Sequence, residues 1–156
     1  MRSRARGTDE GGPATVATQE DAKAVDAVVA RLALKTGQII QEYGYDDDTD
    51  ADFRDAVEAA TGEALVDEDY GDVTDGVIVW FREGEDDLAD LLMDAQTLLD
   101  DGAAVCLCTP KAGQSGHVQP REVQEAASVA GLHATSTFVI GTRWTATYLV
   151  EKGRSK

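Results

Sequence analysis

The segment from Asp75 to Thr109 constrains the fold of this 156-residue chain more than any other part of the sequence. Two short apolar runs, residues 77–81 and 103–108, lie on either side of a stretch in which leucine and alanine recur at helical spacing. Neither run alternates polar with apolar residues, which is typical of a strand covered on both faces. Two such strands joined by one amphipathic helix predict a βαβ unit, whose crossover should be right-handed.

Further helices and strands are predicted on both sides of this unit. Apolar residues at helical spacing, each stretch ended by a glycine, predict three more helices, at residues 24–34, 51–60 and 120–130. Strands are predicted at 38–45, at 64–66 as a very short one, and in a final hairpin of 133–140 and 143–150. Strands that alternate with helices and end in an antiparallel hairpin predict an α/β three-layer sandwich with a mostly parallel sheet.

The first residues of the chain differ in composition from the rest. Residues 1–21 are rich in glycine, threonine and charge, so we expect a disordered tail before one α/β domain of residues 22–156. No apolar run approaches the roughly 20 residues of a membrane span, and no apolar segment of a secretory signal follows the early arginines. Cys106 and Cys108 should be reduced and buried, because neighbours on one strand have poor disulfide geometry and no second pair completes a zinc site. These features predict a cytoplasmic protein that contacts no membrane.

The charge of the chain is concentrated in its middle. The net charge is −16, and residues 42–101 hold 22 of the 30 acidic residues but only two basic ones, Arg54 and Arg82. An acidic surface repels phosphate, so nucleic-acid binding is not expected. The charge suits solubility, a basic protein partner or cations, and a solvated surface is the simplest interpretation.

Any ligand of an open parallel sheet should bind beyond the carboxyl ends of its strands. Three loops are expected to meet there: 44–50, 82–87 and 110–119. The first two are acidic, and the third contributes Lys111 and His117, of which Lys111 could pair with the acidic loops across the crevice.

The acidic run that follows the first strand resembles the start of a calcium-binding EF-hand loop. Asp46, Asp48 and Asp50 alternate as such a loop requires, but Ala51 and Val57 stand where glycine and glutamate are needed. An EF-hand is therefore excluded. A capped start of the next helix is favoured over a weak divalent-cation site made from looser carboxylates, and Thr49 is the expected cap.

His117 is the histidine expected at this edge of the sheet. An imidazole could act as a general base near neutral pH, but no nucleophile is placed beside it, and Ser115 has no strand–turn–helix elbow around it. The favoured interpretation is that His117 fixes its glycine-rich loop by hydrogen bonds. We predict no catalytic residue and no metal ligand.

The order of elements resembles a shortened class I S-adenosylmethionine-dependent methyltransferase over residues 36–152, whose last two strands also form a hairpin at one sheet edge. In that superfamily a glycine-rich turn after the first strand approaches the cofactor, and an acid after the second strand holds its ribose. Gly44 matches the turn, but Tyr45 and Asp46 stand where further glycines would be, and Asp67 or Glu68 matches the acid. The resemblance therefore implies no resident cofactor, with weak S-adenosylmethionine binding as the alternative.

The chain also resembles an uncharacterised family of short acidic actinobacterial proteins, known only as a domain of unknown function. The match runs from Leu32 onward and supplies no activity. It rests on Gly37-Gln38-Ile39-Ile40-Gln41-Glu42, Tyr45-Asp46-Asp47-Asp48, Thr109-Pro110-Lys111 and Gly116-His117-Val118.

Two functions from different classes follow from these observations. The favoured one is a non-catalytic, regulatory or protein-binding module that meets a basic partner through its acidic surface. The alternative is a divergent S-adenosylmethionine-dependent methyltransferase or another enzyme that binds a small ligand. The residues predicted to line the crevice are Glu42, Gly44, Tyr45, Asp46, Asp67, Arg82, Lys111 and His117.

Overall fold

A computed structural model describes residues 29–30, 32–84, 87–100 and 103–151. The predicted tail of residues 1–21 and most of the predicted helix at 24–34 lie outside the described residues. Val29 and Ala30 of that predicted helix are helical, but residues 32–34 are not, because Ala33 adopts a left-handed conformation with φ of 55°. In the described ranges, no helix combines the length and the apolar character needed to cross a bilayer.

Helices and strands alternate along the described chain as the sequence predicts. They are β1 (Ile40–Tyr43), α1 (Ala51–Thr61), β2 (Gly76–Trp80), α2 (Leu88–Ala95), β3 (Val105–Pro110), α3 (Pro120–Val129), β4 (Leu132–Ile140) and β5 (Trp144–Glu151). β1 is half as long as predicted, because Gly44 turns the chain into the left-handed region with φ of 80°. The predicted strand at 64–66 is reduced to one parallel bridge, between Val66 and Gln41.

The five strands form one open sheet in the order β1-β2-β3-β5-β4. β1 pairs with β2 and β2 with β3, both in parallel, whereas β5 is antiparallel to both β3 and β4. Four strands therefore point the same way, which confirms the mostly parallel sheet with its antiparallel hairpin. The sequence did not predict that β5 lies between β3 and β4, which leaves β4 at the edge.

Helices cover both faces of this sheet, because successive residues of the central strands point to opposite faces. The core beside α1 consists mainly of Phe53, Val57, Ile78, Trp80, Cys106, Cys108, Ile140 and Trp144. The core beside α2 and α3 consists mainly of Val77, Val79, Phe81, Leu92, Val105, Leu107, Val123 and Leu149. Two cores separated by one sheet confirm the three-layer sandwich.

The two cysteines belong to the core beside α1. Both are buried and form no disulfide bond, as expected for i, i+2 neighbours on β3. Burial raises the pKa of the Cys108 thiol well above its ordinary value, so this thiol stays protonated near neutral pH. Both side chains therefore act as small apolar groups of the core.

The residue that caps α1 differs from the prediction. Asp50 is the N-cap, and its carboxylate accepts a hydrogen bond from the Phe53 amide at 2.8 Å. Thr49 is instead part of the preceding turn, where its hydroxyl donates to the Asp46 carbonyl at 3.0 Å. The predicted cap at Thr49 is therefore wrong by one residue, because a local hydrogen bond occupies that hydroxyl.

Candidate functional site

The three loops that follow β1, β2 and β3 meet at the carboxyl edge of the sheet. Arg82, just after β2, donates from Nη1 to the carbonyl oxygen of Gly44 at 2.9 Å and from Nε to Asp48 Oδ2 at 3.1 Å. The amide of Glu83 donates to the carbonyl oxygen of Gly116 in the third loop at 2.9 Å. Parallel strands bring their carboxyl ends together in this way, so the loops lie where the sequence placed them.

Gly44 packs against the backbone of the neighbouring strand. A Cβ atom at this position would overlap the carbonyl oxygen of Trp80. The Gly44 amide donates to Glu68 Oε2 at 3.0 Å, and its carbonyl oxygen accepts from Arg82. The missing side chain thus makes room for β2, and both backbone polar groups of Gly44 already have partners inside the chain.

The centre of the predicted crevice is filled by Arg82 and Asp48. The guanidinium of Arg82 forms a salt bridge with the Asp48 carboxylate and lies 5.2 Å from the ring centroid of Trp144. Its hydrogen bonds hold the pKa of Asp48 below its ordinary value. The Asp48 carbonyl oxygen accepts from the indole of Trp144 at 2.9 Å, which ties the hairpin to this cluster.

Asp48 and Trp144 were not predicted as site residues. One signal in the sequence could have identified Asp48, since it lies in the acidic loop 44–50, which was expected to meet the loop that begins at Arg82. Nothing local pointed to Trp144, which is 96 residues away from its hydrogen-bond partner in the chain.

Glu42 is buried beneath the crevice, and both of its carboxylate oxygens already accept hydrogen bonds. Its side chain is 5% exposed and accepts from Arg54 Nε at 2.7 Å, from Arg54 Nη2 at 2.8 Å and from the Trp80 indole at 2.8 Å. A bidentate guanidinium–carboxylate pair is strong and geometrically specific, and it raises the pKa of Arg54. Glu42 therefore fixes α1 to the sheet and has little capacity left for a ligand.

Tyr45 and Asp46 follow Gly44, at the positions where the methyltransferase turn has further glycines. Tyr45 is 56% exposed, and its ring lies 4.4 Å from the Arg54 guanidinium carbon. Asp46 is exposed and accepts hydrogen bonds from Thr49 through its carbonyl oxygen. The Tyr45 ring therefore packs on Arg54, and the Asp46 carboxylate accepts from the Asp47 amide at 2.7 Å within its own turn.

The two candidate acids after the short strand differ in role. Asp67 is exposed, and its carboxylate accepts from the Asp69 amide at 3.0 Å, so it remains within its own loop. Glu68 is the acid that reaches the end of β1, where it accepts from Gly44.

Lys111 and His117 lie in the third loop. The Lys111 amide donates to the carbonyl oxygen of Arg143 at 2.8 Å, which joins this loop to the hairpin. His117 Nδ1 lies 3.0 Å from the carbonyl oxygen of Pro110 and must donate, because a carbonyl can only accept. This contact is the loop-fixing hydrogen bond that the sequence analysis favoured for His117. Across the described part of the chain, no group of three or more histidine, cysteine or carboxylate side chains is arranged to hold a metal ion.

Sequence comparison connects the chain with proteins that have no assigned activity. Residues 29–153 match the model of a family described as "Protein of unknown function (DUF3052)". Uncharacterised proteins of Mycobacterium bovis and Mycobacterium tuberculosis are 44% identical over 142 residues, which is 91% of this chain and 87% of each relative. The predicted resemblance to an uncharacterised actinobacterial family is confirmed.

Structural comparison identifies methyltransferases with the same fold. Magnesium protoporphyrin IX methyltransferase from Synechocystis, with S-adenosylmethionine bound, gives a TM-score of 0.53 at 13% identity, over 84% of this chain and 79% of that one. The same enzyme with S-adenosylhomocysteine gives 0.54 at 15% identity, over 92% and 90%. The pyocyanin biosynthetic protein PhzM gives 0.60 at 11% identity, over 83% and 55%. At these identities the likeness confirms the methyltransferase-like fold and nothing further.

Proposed function

This chain belongs to the DUF3052 family of unknown function, and from that membership and the geometry of its carboxyl edge we propose that it is a non-catalytic module that binds a basic protein partner. In this role the methyltransferase-like sheet serves as a scaffold for the interaction surface and holds no resident cofactor. Its interaction surface is the acidic exterior around β1.

The observation that carries the proposal is the occupied turn after β1. A cofactor that binds against such a turn needs an open backbone face and free amide groups. Here the open face of Gly44 is covered by the Trp80 carbonyl, and its amide donates to Glu68. Arg82 and Asp48 fill the adjoining space with a salt bridge. This geometry does not fit S-adenosylmethionine bound against Gly44, which supports a binding role over transfer chemistry.

The second support is the distribution of exposed carboxylates. We define the acidic edge as the exposed carboxylates that flank the edge strand β1, in the loops after β1 and Val66 and on α1. Its members are Asp46, Asp47, Asp52, Asp55, Asp67, Glu68, Asp69 and Asp72. Such a surface raises the association rate with a positively charged partner and repels phosphate.

The absence of a cofactor is tested by titration with S-adenosylmethionine. We expect a dissociation constant above about 1 mM, or less than ~4 kcal/mol of binding free energy, because Arg82 and the Trp80 carbonyl occupy the turn. Isothermal titration calorimetry measures this, with the Synechocystis methyltransferase as the positive control. Saturable low-micromolar binding would contradict the non-catalytic proposal.

The docking role is tested by reversing charges on the acidic edge. The double variant Asp55→Lys, Asp69→Lys should lose a basic partner captured from a mycobacterial extract and identified by mass spectrometry. A matched control, Glu122→Lys with Glu125→Lys on the exposed part of α3, makes the same change in net charge and should retain that partner. Equal loss in both variants would mean that total charge, and not the acidic edge, governs capture.

A second candidate function is a divergent S-adenosylmethionine-dependent methyltransferase. It is supported by the shared fold with enzymes crystallised with S-adenosylmethionine or S-adenosylhomocysteine, and by the glycine at the end of β1. The same titration decides between the two candidates.

A further inference from the structure

An exposed aromatic ring lies where the three segments of the acidic edge meet. Tyr45 belongs to the loop after β1 and is 56% exposed. Arg54 of α1 lies against its ring. Glu68, from the loop after Val66, accepts a hydrogen bond from the amide of Gly44, the residue before Tyr45. The two loops and α1 therefore all contribute groups to the surroundings of this one ring.

The Tyr45 ring is held in place by a series of contacts that ends in the core. The guanidinium carbon of Arg54 lies over the ring, 4.4 Å from its centroid. Two nitrogens of the same guanidinium donate to the buried Glu42 at 2.7 and 2.8 Å, and Glu42 also accepts from the indole of Trp80. Because a bidentate pair fixes the orientation of a guanidinium, Arg54 presents its face to the ring in one position. The ring is therefore ordered before a partner arrives, which lowers the entropic cost of binding.

Arg54 covers one face of the Tyr45 ring, and more than half of the residue remains exposed. The opposite face is therefore open to solvent. The face of an aromatic ring carries a partial negative charge and attracts cations. A planar guanidinium can also stack on such a face, whereas the compact ammonium of lysine cannot. The open face of Tyr45 is therefore suited to a second guanidinium, supplied by a partner.

The charges beside the ring favour the same group. Asp46 and Asp47 follow Tyr45 directly, and both are exposed. Arg54 does not offset these carboxylates, because its own charge is paired with Glu42. A guanidinium can donate to a carboxylate from its edge while its face packs on a ring. An aromatic side chain surrounded by charged groups is also typical of the residues that contribute most of the binding energy in an interface.

We propose that Tyr45 is the anchor of the acidic edge and that the partner stacks an arginine side chain on its open face. The partner is thus a protein segment with an exposed arginine, and lysines alone do not replace it. This inference rests on the proposed function, because it takes the acidic edge as the binding surface. It adds the residue of that edge that selects one basic side chain over the other.

The test compares two synthetic hexapeptides of equal charge, both acetylated and amidated. One alternates glycine with arginine and the other alternates glycine with lysine. Two-dimensional ¹H–¹⁵N NMR titrations of the full chain at low ionic strength measure both dissociation constants, with shifts expected at the amides of residues 44–47. We expect the arginine peptide to bind about threefold or more tightly, because its guanidinium stacks on the ring as well as meeting the carboxylates.

Substitutions of Tyr45 show whether the ring causes this preference. Tyr45→Leu keeps an apolar side chain without an aromatic face, so it should weaken the arginine peptide by about threefold or more and remove the preference. Tyr45→Phe keeps the ring and should bind both peptides as the unmodified chain does. Neither variant should lower the melting temperature, because the side chain is exposed. Val129→Ala shortens an exposed apolar side chain on α3 and should leave both affinities unchanged.

The outcomes separate this inference from the proposed function. Equal affinity for the two peptides, or an arginine preference that survives Tyr45→Leu, would overturn the role of Tyr45 alone. The variant Asp55→Lys, Asp69→Lys should bind both peptides more weakly than the unmodified chain if the acidic edge is the binding surface. Equal binding to this variant and to the unmodified chain, or no binding of either peptide, would overturn the proposed function together with this inference.

Discussion

Gly44→Ala is expected to lower the free energy of unfolding by more than about 3 kcal/mol. The backbone at Gly44 has φ of 80°, which costs an alanine roughly 1–2 kcal/mol. The added methyl group would also overlap the Trp80 carbonyl, and backbone in the middle of a sheet cannot move aside as a side chain can. Urea denaturation followed by the fluorescence of the two buried tryptophans measures the loss.

Gly62→Ala is the matched control for this prediction. Gly62 ends α1 with φ of 75°, but no heavy atom lies within 4 Å of the position of an added Cβ. Its substitution should cost only the conformational strain of about 1–2 kcal/mol. Equal losses for the two variants would show that Gly44 is needed for its backbone angles and not for its contact with β2.

Leu107→Ala is expected to cost about 2–5 kcal/mol, because the cavity it leaves lies in the centre of the sheet. Leu107 is fully buried, pairs with Val79 of β2 and Thr147 of β5, and packs in the core beside α2 and α3. Leu107 and Val79 lie on adjacent parallel strands, as the βαβ unit predicted from the sequence requires. Thermal or urea denaturation measures the effect.

Val139→Ala on β4 provides the comparison for a solvent-facing strand position. Val139 is 52% exposed, so its truncation should change stability by only about 0.5 kcal/mol. A loss below about 1 kcal/mol for Leu107→Ala would mean that β3 is not the central strand of a folded sheet.

The local elements of this fold could be predicted from the sequence because each one has its own periodicity. The buried runs of β2 and β3 and the leucines of α2 identify the βαβ unit without knowledge of distant residues. The position of β5 between β3 and β4 could not be obtained in this way. A hairpin pattern shows that two strands pair with each other, but not which of the two also pairs with β3.

The candidate site was predicted in location but not in detail. The loops at Gly44, Arg82 and Gly116 meet because parallel strands end at one edge. Side-chain direction depends on partners from other elements, and this is why Tyr45 was expected in the crevice but lies on Arg54.

The position of β5 inside the sheet has a consequence for how the chain folds during synthesis. Until residues 144–151 have left the ribosome, the edge of β3 that faces away from β2 has no partner strand. The hydrogen bond between Trp144 and Asp48 cannot form before then either. An exposed strand edge is a template for pairing with another chain. The nascent protein therefore passes through a stage at which the βαβ unit is complete but open to aggregation, and β5, which is synthesised after β2 and β3, is the strand that protects it.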